Sequence, residues 1–237
     1  LALRDVLRWE PDKVTLLDLD ASLVNLFRER VSDAIDNTRL LEINARSFSD
    51  SRVEARFGDA FLNVDELLKE GNVFDVILVD LPDPSHPDLN KLYSSRFYAK
   101  LNMLLAGDGA MSVQSSSPYH AKKTFISIGK TVHHAGFHHV DQYHTNVPSF
   151  GEWGWTIAVK NGRSARARIA ALETLPVDDK WITKGLMLAA FEFEKGFFDK
   201  HEDVEVNRLG TMVVYRYHHD DWRKEMGIYQ LEEGEEL

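Results

Sequence analysis

One short stretch of the chain, the apolar run Val76–Val79 and the turn after it, strongly limits the fold. The run follows Phe74 and Asp75 and ends at Asp80. Four consecutive aliphatic residues are typical of a strand covered on both faces, as in a parallel sheet. Ligands of open α/β sheets bind beyond the carboxyl ends of such strands, so Asp80 is a candidate site residue. The alternative is an Asp that caps the next helix.

A second acid, Asp83, follows three residues later on a turn stiffened by prolines at positions 82, 84 and 87. Proline fixes φ and is incompatible with a helix interior, so Asp83 is expected at a defined offset from Asp80. Two carboxylates in this arrangement suit the binding of a cationic amine and the acceptance of its proton.

Strands and helices alternate through the first two thirds of the chain. Apolar periodicity predicts helices over 1–9, 22–34, 60–68, 94–105 and 119–134, and strands over 13–20, 53–57, 74–80 and 110–114. An antiparallel pair is expected at 138–147 and 155–160. This order predicts an α/β fold with a doubly wound, mostly parallel sheet over residues 1–160. Residues 161–237 are predicted to form an α+β C-terminal extension that packs on it.

Composition narrows the classes of function. The chain of 237 residues has no Cys, which excludes disulfides and thiolate chemistry. Its 28 basic and 38 acidic residues give a net charge of −10, which disfavours a nucleic-acid partner and favours cationic ligands. Without an apolar run of about 20 residues, a cytoplasmic protein is expected. The histidines lack the spacing of a zinc helix, so no metal site is predicted.

Two further predicted strands also end at acids. Asp18 lies near the end of the strand at 13–20, and Asp59 follows Gly58 after the strand at 53–57. In a nucleoside-binding sheet, an acid after the second strand accepts both ribose hydroxyls, and one after the third accepts from the adenine amine. A helix cap remains the alternative for each.

Several motifs together resemble the polyamine aminopropyltransferases, the spermidine synthase family, over residues 1 to about 160. The motifs lie at 14–20, 58–61, 79–87, 92–98 and 147–154. The resemblance implies a Rossmann-like sheet of the S-adenosylmethionine-dependent methyltransferase type. It also implies transfer of an aminopropyl group from decarboxylated S-adenosylmethionine to a diamine such as putrescine, giving spermidine and methylthioadenosine. No permanently bound cofactor is expected.

The resemblance assigns roles by position. Asp80 corresponds to the proton acceptor, and Asp83, Gln114 and Phe150 correspond to other members of the amine site. Trp153 is a further candidate for that site, because its ring could contact an ammonium through a cation–π interaction. The nucleoside site corresponds to Asp18, Asp59, Ala60 and Pro87. Two departures from the family pattern concern the acceptor amine: Leu81-Pro82 replaces the usual Ser-Ser, and Phe150 replaces a Tyr. An ordinary core position is the alternative for Trp153.

The resemblance also has implications for the rest of the protein and its assembly. The family's glycine-rich turn and first strand would precede Leu1, so the sequence is expected to be an N-terminally incomplete piece. A homodimer is implied, and some relatives carry membrane helices upstream, so the parent protein is a candidate for membrane attachment. Two other functions stay open: an S-adenosylmethionine-dependent methyltransferase, and a non-catalytic domain that has lost nucleoside binding.

Overall fold

The computed structural model of the chain describes residues 2–32 and 34–225. Helices and strands alternate, which confirms the predicted α/β class. The helices are α1 (Ala2–Leu7), α2 (Ala21–Arg28), α3 (Thr38–Ile43), α4 (Ala60–Lys69), α5 (Ser95–Leu104), α6 (Lys122–His134), α7 (Ala165–Ala170), α8 (Lys184–Ala189) and α9 (Val213–Glu225). The strands are β1 (Val14–Asp18), β2 (Val53–Phe57), β3 (Phe74–Val79), β4 (Leu105–Gln114), β5 (His139–Val147) and β6 (Gly151–Val159). Short 3₁₀ helices span Ser47–Ser49 and Pro87–Tyr93.

The first of two compact units contains residues 1–67 and 174–181. Its strands β1 and β2 pair in parallel, with Val14 opposite Val53 and Asp18 opposite Phe57. Both strands therefore end at the same edge of this two-stranded sheet.

Helix α2 is shorter than its periodicity predicts, because it ends at Arg28 and the prediction ran to residue 34. The side-chain amide of Asn37 donates to the carbonyl oxygens of Leu26 and Glu29, both at 2.7 Å. Asn44 donates in the same way to Phe27 at 2.9 Å. These amides satisfy the carbonyls at the end of the helix, so the chain turns away while the apolar periodicity continues.

The second unit contains residues 68–173 and 182–237, of which those up to 225 are described. Its sheet has the order β3-β4-β6-β5. Strands β3 and β4 are parallel, with Val79 opposite Val113, whereas β6 is antiparallel to both β4 and β5. The predicted antiparallel pair is thus confirmed.

Strand β3 is not covered on both faces, and that prediction is wrong. Val76 is 62% exposed and Leu78 is 57% exposed, whereas Val79 is buried. Within its sheet β3 is the edge strand, bonded only to β4. An apolar run specifies a strand but not what covers each of its faces.

Two other boundaries differ from the prediction. Strand β4 begins at Leu105 and includes Gly107 and Gly109, which were expected to separate a helix from a strand starting at 110. Gly151–Val159 forms β6, so Trp153 and Gly154 lie on a strand and not on a loop. Pairing of Leu105 with Phe74 of β3 extends β4, and pairing with β5 extends β6 back to Gly151.

The described part of the predicted extension, residues 161–225, contains helices α7 to α9. Strands were also expected there, and none occurs within this range. Phe193 and Phe197, which lie outside regular secondary structure, instead pack in a cluster with the buried Phe125 of α6. Aromatic packing therefore replaces strand pairing in this region.

Among the described residues, no helix is long and apolar enough to cross a membrane. Within the same part of the chain, no three His, Asp or Glu side chains are grouped to hold a metal ion.

Candidate active site

The turn after β3 presents two carboxylates in different states. Asp80 is exposed and makes no hydrogen bond or ion pair with a described residue. Asp83 is half-buried, and its Oδ1 accepts a hydrogen bond of 2.6 Å from Nε2 of Gln114. The parallel register of β3 and β4 brings the two strand ends together, which explains a contact between residues 31 apart. One acid of the pair is fixed and the other has no bonded partner.

The amide of Gln114 is itself held in one orientation. Its Oε1 accepts from the backbone N–H of Ser116 at 3.0 Å, which directs Nε2 toward Asp83. Ser116 is fully buried and has φ of +67°, a left-handed conformation that costs free energy in a residue other than Gly. Its carbonyl accepts from the N–H of Gly154 at 2.8 Å. Strand β6 therefore supports the orientation of Asp83 through two intermediates.

Tyr93 also supports this turn, through a hydrogen bond. It is fully buried, and its hydroxyl donates to the carbonyl oxygen of Pro82 at 2.7 Å. Burial raises the pKa of Tyr93 well above its usual value, and the charges of Tyr98, Asp83 and Asp80 raise it further. Both acids thus lie within electrostatic reach of one hydroxyl, as expected if they form a single site.

Pro87 follows the acid turn at the first position of a 3₁₀ helix, Pro87–Tyr93, and is half-buried. His86 precedes it, and its Nδ1 accepts from the backbone N–H of Asp88 at 3.2 Å. Proline suits this first helical position because its missing N–H has no partner to lose there.

The hairpin between β5 and β6 carries the two predicted aromatic residues. Phe150 is 64% exposed, and its ring centroid lies 5.3 Å from that of the half-buried Trp153. Trp155, two residues farther along, stacks on Tyr143 at 5.5 Å. Phe150 and Trp153 therefore offer ring faces near the turn of the hairpin, whereas Trp155 is engaged in packing within the sheet.

A histidine–glutamate pair braces this hairpin. Nδ1 of His144 lies 2.8 Å from Oε2 of Glu152, and its Nε2 lies 2.9 Å from the carbonyl oxygen of Glu192. The Tyr119 hydroxyl donates to Glu194 at 2.9 Å, and burial together with that hydrogen bond raises the pKa of Tyr119 to about 12. These contacts attach the segment after α8 to β5 and to the residues before α6.

In the first unit, the predicted nucleoside residues stand at the ends of β1 and β2. Asp18 ends β1 and accepts from the N–H of Asp20 at 2.9 Å through one carboxylate oxygen. Asp59 precedes α4, which begins at Ala60, and accepts from the N–H of Phe61 at 2.9 Å. The contact of Asp59 matches the helix-cap alternative.

Three residues that support the turn with Asp80 and Asp83 were not singled out from the sequence: Tyr93, Ser116 and Gly154. Tyr93 lies in the motif at 92–98, and Gly154 ends the motif at 147–154, so each was visible as a motif member but without a role. Ser116 carried no signal, because a left-handed backbone is ordinarily indicated by Gly or Asn.

Comparison with known proteins identifies one family. The Spermine/spermidine synthase domain model matches residues 1–168. The polyamine aminopropyltransferase of Shewanella oneidensis is 52% identical over 235 residues, which is 96% of this chain and 40% of that protein. The one from Leptospira interrogans is 32% identical over 225 residues, 94% of this chain and 41% of its own length. The chain thus spans about 40% of the length of these two relatives.

Solved structures show the same fold. Spermidine synthase from Thermotoga maritima has a TM-score of 0.60 and 21% identity, covering 81% of this chain and 62% of that one. A spermidine synthase in complex with the transition-state analogue AdoDATO has a TM-score of 0.62 and 22% identity, covering 82% and 63%. With the family match over residues 1–168, the chain belongs to the spermine/spermidine synthase family.

Proposed function

We propose that this chain carries the transfer site of a polyamine aminopropyltransferase. The reaction moves the aminopropyl group of decarboxylated S-adenosylmethionine to a diamine such as putrescine and releases methylthioadenosine and spermidine. The observation that carries the proposal is the pair of acids after β3, in which Asp83 is fixed by Gln114 and Asp80 has no hydrogen-bonded or ion-paired partner among the described residues.

The chemistry needs few groups from the protein. An amine with a pKa near 10, by analogy with Lys, arrives as an ammonium and must lose a proton before its lone pair can attack. The amine nitrogen then bonds to the carbon attached to the sulfonium, and the C–S bond breaks with its electrons going to sulfur. Sulfur becomes a neutral thioether, so the leaving group needs no acid.

Asp80 is proposed as the proton acceptor and Asp83 as the group that holds the amine. General-base assistance of this kind contributes about 10²- to 10⁴-fold in rate. Positioning of the amine in line with the reacting carbon supplies more. Phe150 and Trp153 are proposed to contact the cationic substrate through their ring faces.

The nucleoside is assigned to Asp18, Asp59, Ala60 and Pro87. The second carboxylate oxygen of Asp18 accepts no hydrogen bond from the described residues, so it is available to a ribose hydroxyl. The co-substrate is consumed in the reaction, and the proposal includes no permanently bound cofactor. A homodimer, a cytoplasmic location and a membrane-attached parent protein stay predictions.

The test is to incubate the full-length protein that contains this chain with decarboxylated S-adenosylmethionine and a panel of diamines, and to measure methylthioadenosine. Asp80→Asn should lower turnover by at least about 100-fold while the affinity for methylthioadenosine stays within about twofold. Asp88→Asn, at an exposed acid eight residues later, serves as the control.

Three results would contradict the proposal. One is an absence of product with every diamine, and another is near wild-type turnover in Asp80→Asn. The third is consumption of S-adenosylmethionine in place of its decarboxylated form, which would favour a methyltransferase.

A further inference from the structure

His218, in the middle of α9, is a buried imidazole whose Nδ1 has no hydrogen-bond partner among the described residues. It is only 7% exposed, and Nδ1 is enclosed with no hydrogen bond from the described residues. Buried polar atoms in native proteins nearly always have a partner, whether protein, water or ligand. The unsatisfied Nδ1 therefore points to a group that binds there.

Helix α9 is fastened to the segment that follows the acid turn. The side-chain amide of Asn207 donates to the carbonyl oxygens of Asn90 and Tyr93, each at 3.1 Å. The backbone N–H of Tyr215, in the first turn of α9, donates to Oδ1 of Asn90 at 3.2 Å. Because Tyr93 also holds the carbonyl of Pro82, a continuous set of hydrogen bonds connects α9 with the turn between the two acids.

The ring of His218 is held from one side. Trp222, one helical turn later, meets it edge-on at 6.1 Å and stacks on His120 at 5.9 Å. Burial lowers the pKa of His218, the nearby negative charge of Asp83 opposes that shift, and His219 adds to it. The imidazole is therefore neutral near pH 7 and lies within electrostatic reach of Asp83.

We infer that His218 is a further member of the amine site, where its imidazole accepts a hydrogen bond from the ammonium group that Asp83 holds. This inference rests on the proposed function. An ammonium has three N–H donors, and one oxygen of Asp83 is already engaged by Gln114. A neutral imidazole offers one ring nitrogen as acceptor, so it supplies an acceptor without adding a second negative charge.

The assignment extends the site to the C-terminal part of the chain. Helix α9 lies beyond residue 168, where the family match ends. The inference therefore predicts that the segment 182–225 contributes directly to recognition of the amine and is more than a support for the sheet.

The test compares three variants of the full-length protein: His218→Phe, His218→Gln and His219→Gln. His219 is the exposed neighbour on the same helix and serves as the matched control. Loss of a hydrogen bond to a charged group should raise KM for putrescine about 10- to 100-fold in His218→Phe. KM for decarboxylated S-adenosylmethionine should stay within about twofold, and His218→Gln, which keeps an acceptor, should recover part of the loss.

A binding measurement separates a direct role from a structural one. In protein labelled with ¹³C at histidine, the resonance missing from His218→Gln should move when putrescine is added without the co-substrate, and that of His219 should not. The inference is overturned if the His218 resonance does not respond, or if His218→Phe changes KM for both substrates alike.

The two proposals fail in different ways. If wild-type protein makes no methylthioadenosine with any diamine, the proposed function fails, and the resonance titration still decides whether His218 meets an amine. If wild-type protein is active and His218→Phe has wild-type KM for putrescine, only the role of His218 is refuted.

Discussion

Gly154 gives the sharpest test of how the hairpin strand supports the acids. A Cβ added at this position would lie 2.5 Å from Cε2 and 2.7 Å from Cδ2 of Phe125, and 3.0 Å from the carbonyl oxygen of Ser116. Carbon atoms in van der Waals contact lie about 3.5–4.0 Å apart. Gly154→Ala therefore requires the ring or the strand to move by about 1 Å.

Neither partner can move cheaply. Phe125 is fully buried, and its ring lies 5.8 Å from that of Phe193 and 6.2 Å from that of Phe197. Overpacking of this kind costs about 1–3 kcal/mol, and Gly→Ala returns about 0.4–1 kcal/mol by restricting the unfolded chain. We expect the free energy of unfolding to fall by about 1–2 kcal/mol, which lowers Tm by about 2–8 °C in a chain of this size.

Gly154→Ala should also raise KM for the amine and leave the affinity for the nucleoside unchanged. Displacement of Ser116 changes the N–H that orients Gln114, and Gln114 fixes Asp83. Urea unfolding and steady-state kinetics on the full-length protein measure the two effects. The control is Gly107→Ala, since an added Cβ at Gly107 meets no atom within 4 Å. Equal unfolding free energies and equal putrescine KM values in the two variants would refute the packing argument.

Three further predictions concern single contacts. Gln114→Leu removes a hydrogen bond to the Asp83 carboxylate, so kcat/KM for the diamine should fall about 10- to 100-fold with little change in methylthioadenosine affinity, and wild-type kinetics would disprove the positioning role. Tyr93→Phe leaves the carbonyl of Pro82 without its donor, so urea unfolding should show a loss of about 1–3 kcal/mol, and a loss below about 0.5 kcal/mol would show that another group takes its place. Because the pKa of His218 is lowered in the fold, the unfolded state binds more protons below about pH 6.5. The free energy of unfolding of the wild-type protein should therefore decrease as the pH is lowered below about 6.5. This decrease should be smaller in His218→Gln than in His219→Gln.

Local signals predicted most of the framework of the fold. The ends of β1, β2 and β3 follow from apolar runs that stop at turn residues within a few positions, and the predicted and observed bounds differ little. The prediction of helix α2 ran too far because the end of the helix is fixed by Asn37 and Asn44, which lie 8 to 17 residues beyond the carbonyls they bind. Periodicity reports one face of a helix and contains no information about such distant donors.

The acids of the candidate site could be picked out from the sequence, but their contacts could not. Asp80 and Asp83 stand out because their residue types and spacing are local. The contact of Asp83 with Gln114 depends on the register of two strands, and the proximity of His218 depends on how a helix 135 residues later is fastened. Contacts of this kind depend on the tertiary structure and cannot be predicted from a single sequence.

The hydrogen bonds of the turn also explain why two acids three residues apart are suited to different tasks. Asp83 accepts a bond of 2.6 Å from Gln114, and an ionised carboxylate is the stronger acceptor for that bond. Taking up a proton would weaken the contact that fixes its position, so Asp83 is suited to binding a cation repeatedly in one place. Asp80 has no such bond to a described residue, so it can accept and release a proton without disturbing the turn. The difference rests on Gln114, which makes this amide the residue to alter if the two roles are to be exchanged.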